Sequence, residues 1–131
     1  SAKAFFQSLG PNEGLFAICK KSDGKHVGNI QFGPVDNISN IAEIRILVGD
    51  RSVWGTGIGT DAIATLMKYL FEVLKIRRVE ANSCNPAFIR CVEKLGWTRE
   101  GILRKRFRAG DTYLDYEYWS ILEDEYRSPA R

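Results

Sequence analysis

At 131 residues the chain has room for one domain, 1–131, with a core that needs no staples, and little room for a second. Hydrophobic residues make up 44% and charged residues 27%, which suits a soluble globular protein, and a net charge of +3 is too mild to imply a nucleic-acid partner. Three cysteines without a CxxC spacing (Cys19, Cys84, Cys91) and a single histidine (His26) argue against a disulfide framework and against any metal site, so none is expected.

The elements follow in chain order. Residues 4 to 9 suit the end of a short helix, stopped by Gly10-Pro11. Leu15 to Cys19 is a compact apolar run, Ser22-Asp23-Gly24-Lys25 a turn, and His26 to Phe32 a second strand, together a hairpin. Pro34 to Asn40 is a loop, and the isoleucine-rich Ile41 to Val48 a third strand. From Gly49 to Gly59 four glycines break the pattern. Helical period then takes over, with Ile63, Leu66, Met67, Leu70, Phe71 and Leu74 in one apolar stripe and Lys75, Arg77 and Arg78 near its end.

Val79 to Cys84 is a strand, and Asn85-Pro86 has the form of an N-cap followed by proline at the first helical position. Phe88, Val92 and Leu95 line this second helix, and Gly96 ends it. Two strands close the chain, Trp97 to Phe107 and Thr112 to Leu122, with Gly110-Asp111 between them. The order predicts a mixed α/β layer in which the strand–helix–strand step is parallel. The basic run Arg99, Arg104, Lys105, Arg106 and Arg108 reads first as a solvated strand face and second as an attraction for an anionic ligand. No apolar run has the length of a membrane span and the start lacks a signal-peptide core, so a cytoplasmic, reduced setting without a membrane partner is expected.

The stretch Trp54-Gly55-Thr56-Gly57-Ile58-Gly59-Thr60 joins a strand to a helix. Glycine permits a sharp turn and close approach of a ligand, and the first turn of a helix presents N–H groups and a partial positive charge, so the stretch forms an anion cradle, to which the Thr60 hydroxyl adds a donor. The dinucleotide pattern GxGxxG fails because Thr60 stands at its third glycine, and the phosphate-loop pattern fails because the chain has no Gly-Lys pair. The bland alternative is a flexible connector.

The same stretch resembles the cofactor signature of the GNAT acyltransferase superfamily, Arg/Gln-x-x-Gly-x-Gly/Ala, through Gly57-Ile58-Gly59, with Trp54 departing at the first position. A Trp-Gly-x-Gly version is usual in the branch similar to ribosomal-protein and other small-amine N-acetyltransferases. Further parts look like that branch in the same order: Val27-Gly28-Asn29-Ile30, Ala42-Glu43-Ile44, Asn85 through Glu93-Lys94-Leu95-Gly96-Trp97, Glu100-Gly101-x-Leu103-Arg104, and Gly110-x-x-Tyr113-x-Asp115. The likeness runs from about Leu15 to Tyr126.

The resemblance implies a mixed, strongly twisted sheet splayed near its middle and flanked by helices, here without the usual first strand and helices. It places the pantetheine arm of acetyl-CoA between the strand ending at Val48 and the strand ending near Cys84. Leu47 and Val48 would pair with the arm through their backbone, and one of their N–H groups would donate to the oxyanion. The pyrophosphate would lie on Gly55, Thr56, Gly57, Ile58, Gly59 and Thr60. Asn85 matches the asparagine that contacts the arm, a role beside that of helix cap.

Acyl transfer to an amine requires removal of a proton from an ammonium of pKa about 10.4. Glu43 matches the catalytic glutamate of some branches, which often act through a water; the bland alternative is an ion-paired or solvated strand carboxylate. Where many members carry a tyrosine acid the chain has Val92, beside Cys91, which suits packing better than proton donation. The thiolate leaves unassisted, or Tyr113 or Tyr116 helps; with Trp119, these aromatics also suit a core or an interface. The implied function is acetyl transfer from acetyl-CoA to a primary amine, on a small molecule or a protein N-terminus. The alternative is an acyl-CoA-binding module with little turnover. Only fourteen residues precede Leu15, and the sheet edge this leaves open predicts self-association as a homodimer.

Overall fold

The computed structural model describes the backbone of residues 2–10 and, in full, residues 12–49 and 55–127. Seven strands form one sheet in the order β1-β2-β3-β4-β5-β7-β6: β1 Ala2–Gly10, β2 Glu13–Lys20, β3 His26–Phe32, β4 Ile41–Val48, β5 Arg78–Ser83, β6 Thr98–Ala109 and β7 Thr112–Leu122. Helices α1 Ile58–Lys68, α2 Pro86–Lys94 and α3 Glu123–Arg127 accompany it, and α1 runs on into a π-helical turn, Tyr69–Val73. The mixed α/β class and the parallel β4–α1–β5 step are as the sequence predicts.

Two expectations are corrected. Residues 4 to 9 do not form a helix end; Ala2–Gly10 is a strand, antiparallel to β2, with Phe6 opposite Phe16, so a strand does precede the hairpin and the β2 edge expected to lie open is paired. Six residues hardly offset the cost of nucleating a helix, whereas the outer edge of β2 offers a ladder of backbone partners.

The core lies between the sheet and the helices. Ile18, Ile30, Phe32, Ala42, Ile44, Val79, Ala81, Trp119 and Ile121 face α1 and α2, which return Ile63, Leu66, Met67, Leu70, Phe71, Phe88 and Val92. The predicted stripe of α1 is buried except at its end, where Leu74 is 37% exposed. Fully burying one such side chain stabilises the fold by about 1.5–3 kcal/mol.

The caps were chemically legible. Asn85 adopts an extended backbone and its Oδ1 accepts from the Ala87 N–H at 2.9 Å, with Pro86 beginning α2. Gly96, at φ 86°, ends α2, with the Gly96 and Trp97 N–H groups returning to the Glu93 and Val92 carbonyls. The loop before β4 is tied by Asp36, whose carboxylate accepts from the Ile38 and Ser39 N–H groups. These bonds hold that carboxyl below the usual carboxylate range.

Candidate functional site

Strands β4 and β5 run parallel but pair only at Ile41–Arg78, Ala42–Val79 and Glu43–Glu80. Beyond that rung each keeps its outer neighbour. β4 stays with β3 as far as Val48–Gly28, and β5 stays with β7 as far as Ser83–Glu117. The sheet therefore splays where the resemblance places the splay. A cavity of about 490 Å³ fills the opening, lined by Glu43, Leu47, Val48, Gly59, Asn82, Asn85, Cys91 and Tyr116 among others.

Gly28 sets how closely β3 and β4 approach beside this cavity. A Cβ there would lie 2.2 Å from the Leu47 carbonyl oxygen and 2.8 Å from the Val48 Cα. No side chain fits, which explains the Val-Gly-Asn-Ile motif in steric terms.

Period-two alternation places Ala42 and Ile44 in the core and Glu43, Arg45 and Leu47 on the other face. The Glu43 carboxylate is held from two sides. Its Oε2 accepts from Asn82 Nδ2 at 3.0 Å, and its Oε1 lies 3.6 Å from Arg45 Nη1. Arg45 is itself fixed by a bond from Nη2 to the Gly33 carbonyl at 3.1 Å. The Glu43 side chain keeps 34% of its surface exposed, so solvent or a substrate reaches it.

The glycine turn stands at the start of α1. Gly55 (φ 79°) and Gly57 (φ 89°) have left-handed backbones that L side chains rarely adopt, and a Cβ at either would meet none of the described residues within 4 Å. They are glycine for conformation rather than for close packing against the described residues. Among the described residues no side chain caps α1 at Gly57, so the positive end of the helix dipole and the first-turn N–H groups are not taken up by a described cap. Ile58 anchors the turn in the core. A Cβ at Gly59 would sit 3.6 Å from Cys91 Sγ, an ordinary van der Waals contact, which places this position at the α1–α2 contact. These features fit an extended anionic ligand with a phosphate end. Trp54, the departure from the family signature, lies outside the described residues.

The proposed proton donors separate. Val92 is fully buried and presents nothing to the cavity, whereas Cys91 lines it. Tyr116 also lines the cavity, its ring stacked on Phe107 with centroids 5.7 Å apart. Tyr113 is 55% exposed on the β6–β7 hairpin, and Trp119 belongs to the core. The basic run lies on the exposed edge strand β6, where Arg99 faces Glu117 at 3.8 Å. Sequence reasoning passed over Asn82 and Ser83. The alternation of Glu80 and Asn82 with buried Val79 and Ala81 was the available signal. Among the described residues no three His, Cys, Asp or Glu side chains gather as a metal site, and no helix is long and apolar enough to cross a membrane.

Comparison with known proteins agrees with this geometry. The acetyltransferase (GNAT) domain model matches residues 1–98. An uncharacterized N-acetyltransferase, p20 of Bacillus licheniformis, is 31% identical over 121 residues, covering 91% of this chain and 67% of that protein. The putative ribosomal N-acetyltransferase YdaF of Bacillus subtilis is 29% identical over 106 residues, covering 79% of this chain and 57% of its own length. Among solved structures, the dodecameric spermidine N-acetyltransferase of Vibrio cholerae superposes with a TM-score of 0.82 at 21% identity, over 92% of this chain and 71% of that one, a likeness of fold. On the domain match and the p20 identity, the chain belongs to the GNAT family of N-acetyltransferases, enzymes that use acetyl-CoA.

Proposed function

We propose that this chain transfers the acetyl group of acetyl-CoA to a primary amine, on a small molecule or a peptide N-terminus, and that the splay between β4 and β5 is its active site. The observation that carries this reading is the end of β4–β5 pairing at Glu43–Glu80, with Glu43, Leu47, Val48, Gly59 and Asn85 on the walls of the cavity that follows.

Bound acetyl-CoA supplies an activated thioester. The chain's own groups do the rest. The turn from Gly55 through Thr56, Gly57, Ile58 and Gly59 to Thr60 receives the pyrophosphate on backbone N–H groups and the Thr60 hydroxyl. The backbone of Leu47 and Val48 aligns the arm and donates to the developing oxyanion. Asn85 uses Oδ1 to cap α2, which leaves its Nδ2 for the arm. Glu43 removes a proton from the ammonium, directly or through a water, so that the amine nitrogen is a nucleophile. Tyr116, on the cavity wall, is the residue proposed to protonate the departing sulfur.

The named acceptors of relatives differ, spermidine in one and a ribosomal substrate in another, which supports an amine and leaves its carrier to experiment. The dodecameric relative and the exposed edge strand β6 support self-association, tested by light scattering at tens of micromolar, where a dimer is expected. Three free cysteines suit a reducing, cytoplasmic setting.

The decisive experiment is thermal shift with acetyl-CoA, CoA and ATP, followed by thiol release across a panel of amines. Stabilisation by CoA but not ATP, with amine-dependent thiol release, is expected. A second reading, acyl-CoA binding without turnover, draws on the burial of Val92 where a tyrosine is usual. Stabilisation without thiol release for any amine would select it, and no response to CoA would sink both.

A further inference from the structure

We propose that Asn82 is a positioning residue for the reaction, holding the Glu43 carboxylate at the mouth of the splay. The inference rests on the reading of Glu43 as the base.

The geometry is a consequence of register. Glu43 and Glu80 share the last rung of the β4–β5 ladder, and Asn82 is the next residue of β5 on the same face. Its backbone has already parted from β4, yet its side chain crosses the opening and places Nδ2 3.0 Å from Glu43 Oε2. A carboxylate acceptor settles the orientation of the amide, because Oδ1 against Oε2 would repel. Asn82 and Glu43 also line the same cavity.

The choice of an amide has chemical content. A glutamate has three rotatable side-chain bonds, and a general base works only from a narrow range of positions. A donor on Oε2 and Arg45 near Oε1 restrict that range. The amide does not titrate, so it cannot take the proton that Glu43 collects. The charged and titratable groups around Glu43 are Arg45 on its own strand, Glu80 on β5, and Tyr116 and Cys91 on the cavity wall. The Glu80 carboxylate is bonded to Arg78 Nε at 2.9 Å, which draws part of its charge away from Glu43.

Four variants test the proposal. Asn82→Asp is isosteric and sets a second carboxylate against Glu43. Its kcat should fall about tenfold or more, and the acid limb of its kcat/KM profile should move up by about one pH unit. Its CoA affinity by calorimetry should fall by less than its kcat, because Asp keeps the size of Asn on the cavity wall. Asn82→Ala should also cost about tenfold in kcat, but almost nothing further when combined with Glu43→Gln, because a residue acting through Glu43 has nothing left to position. An unmoved acid limb in Asn82→Asp, or an undiminished loss from Asn82→Ala in the Glu43→Gln background, would overturn the proposal.

A readout without turnover comes from NMR. The Asn82 side-chain amide resonances should move through the pH range where carboxylates titrate in the parent chain and stay fixed in Glu43→Gln. Fixed resonances in both would also overturn the proposal. If Glu43→Gln alone changes neither rate nor pH profile, it is the reading of Glu43 as base that fails. If Glu43→Gln is impaired and the Asn82 effects are additive, only the present inference fails.

Discussion

Glu43 of β4 and Glu80 of β5 stand side by side in the last rung that the two strands share. Like charges directly opposed across a ladder are destabilising, and each carboxylate has been given a cation, Arg45 for Glu43 and Arg78 for Glu80. The pair marks the boundary between sheet and cavity, and beyond it Leu47 and Val48 on β4 and Asn82 and Ser83 on β5 line that cavity.

Glu43→Gln keeps the shape and removes the proposed base. The rate should fall by about a hundredfold at neutral pH, the usual worth of general-base catalysis. The residual activity should have its optimum at higher pH, because the amine must then lose its proton to solvent near its own pKa of about 10.4. A pH–rate profile of both proteins checks this; an unchanged profile would remove Glu43 from the role.

Gly57→Trp should obstruct the proposed cradle before α1 and weaken CoA binding by more than about tenfold. Backbone strain alone is a separate effect of about 1 kcal/mol, because Gly57 has φ 89°. Gly57→Asn tolerates that conformation and carries a small side chain, so it should bind CoA far better than Gly57→Trp. Calorimetric titration of the two variants decides, and equal, unaltered affinities would contradict the cradle.

Gly28→Ala introduces a Cβ 2.2 Å from the Leu47 carbonyl oxygen, and both strands must shift. The expected loss of stability exceeds about 2 kcal/mol. CoA affinity should fall with it, since Leu47 and Val48 form the wall of the cavity. Gly101→Ala is the control, because a Cβ there meets nothing within 4 Å. Denaturant titration should show a loss for the first substitution only.

Glu100 ties three strands, accepting from Arg78 Nη1 at 2.5 Å and from the Ser120 hydroxyl. The Arg78 bond first, then the Ser120 bond, hold its carboxyl below the usual value of 4.5. A carboxyl lowered in this way stabilises the fold above the unfolded value, and the contribution disappears as pH falls through the folded one. The group is 41% exposed, so solvent screening limits the effect to about 1 kcal/mol or less. Glu100→Gln should lower the melting temperature by about 2–4 °C at pH 7. The gap should close towards pH 3, and a gap that persists there would assign the loss to something other than the charge.

Local chemistry made much of this fold legible. Ile41–Val48 was visible as a strand through its β-branched residues, Asn85-Pro86 as a helix start, and Gly96 as its stop, because each is decided within a few residues. The β1 strand was missed because the edge of β2 lies outside any local window. Of the cavity lining, Glu43, Leu47, Val48, Gly59 and Asn85 were named from the sequence. The bond between Glu43 and Asn82 joins residues 39 positions apart, and alternation within each strand gives the face of each residue but not the register that brings them together. The same holds for the choice between Tyr113 and Tyr116, which depends on where a hairpin leaves the sheet.

The three rungs between β4 and β5 have a mechanical meaning. With the bond from the Arg77 N–H to the Asn40 carbonyl beside them, they are the backbone seam between a four-stranded half, β1 to β4, and a three-stranded half, β5 to β7. The molecule is a partly closed zip, bridged on one face by α1 and α2. A ligand whose amides extend the ladder past Glu43 would continue the closure, so occupancy and folding become one equilibrium. At a hundred times its dissociation constant such a ligand adds about 2.7 kcal/mol to stability. The seam, rather than the distant core, should then be where amide hydrogen exchange slows most.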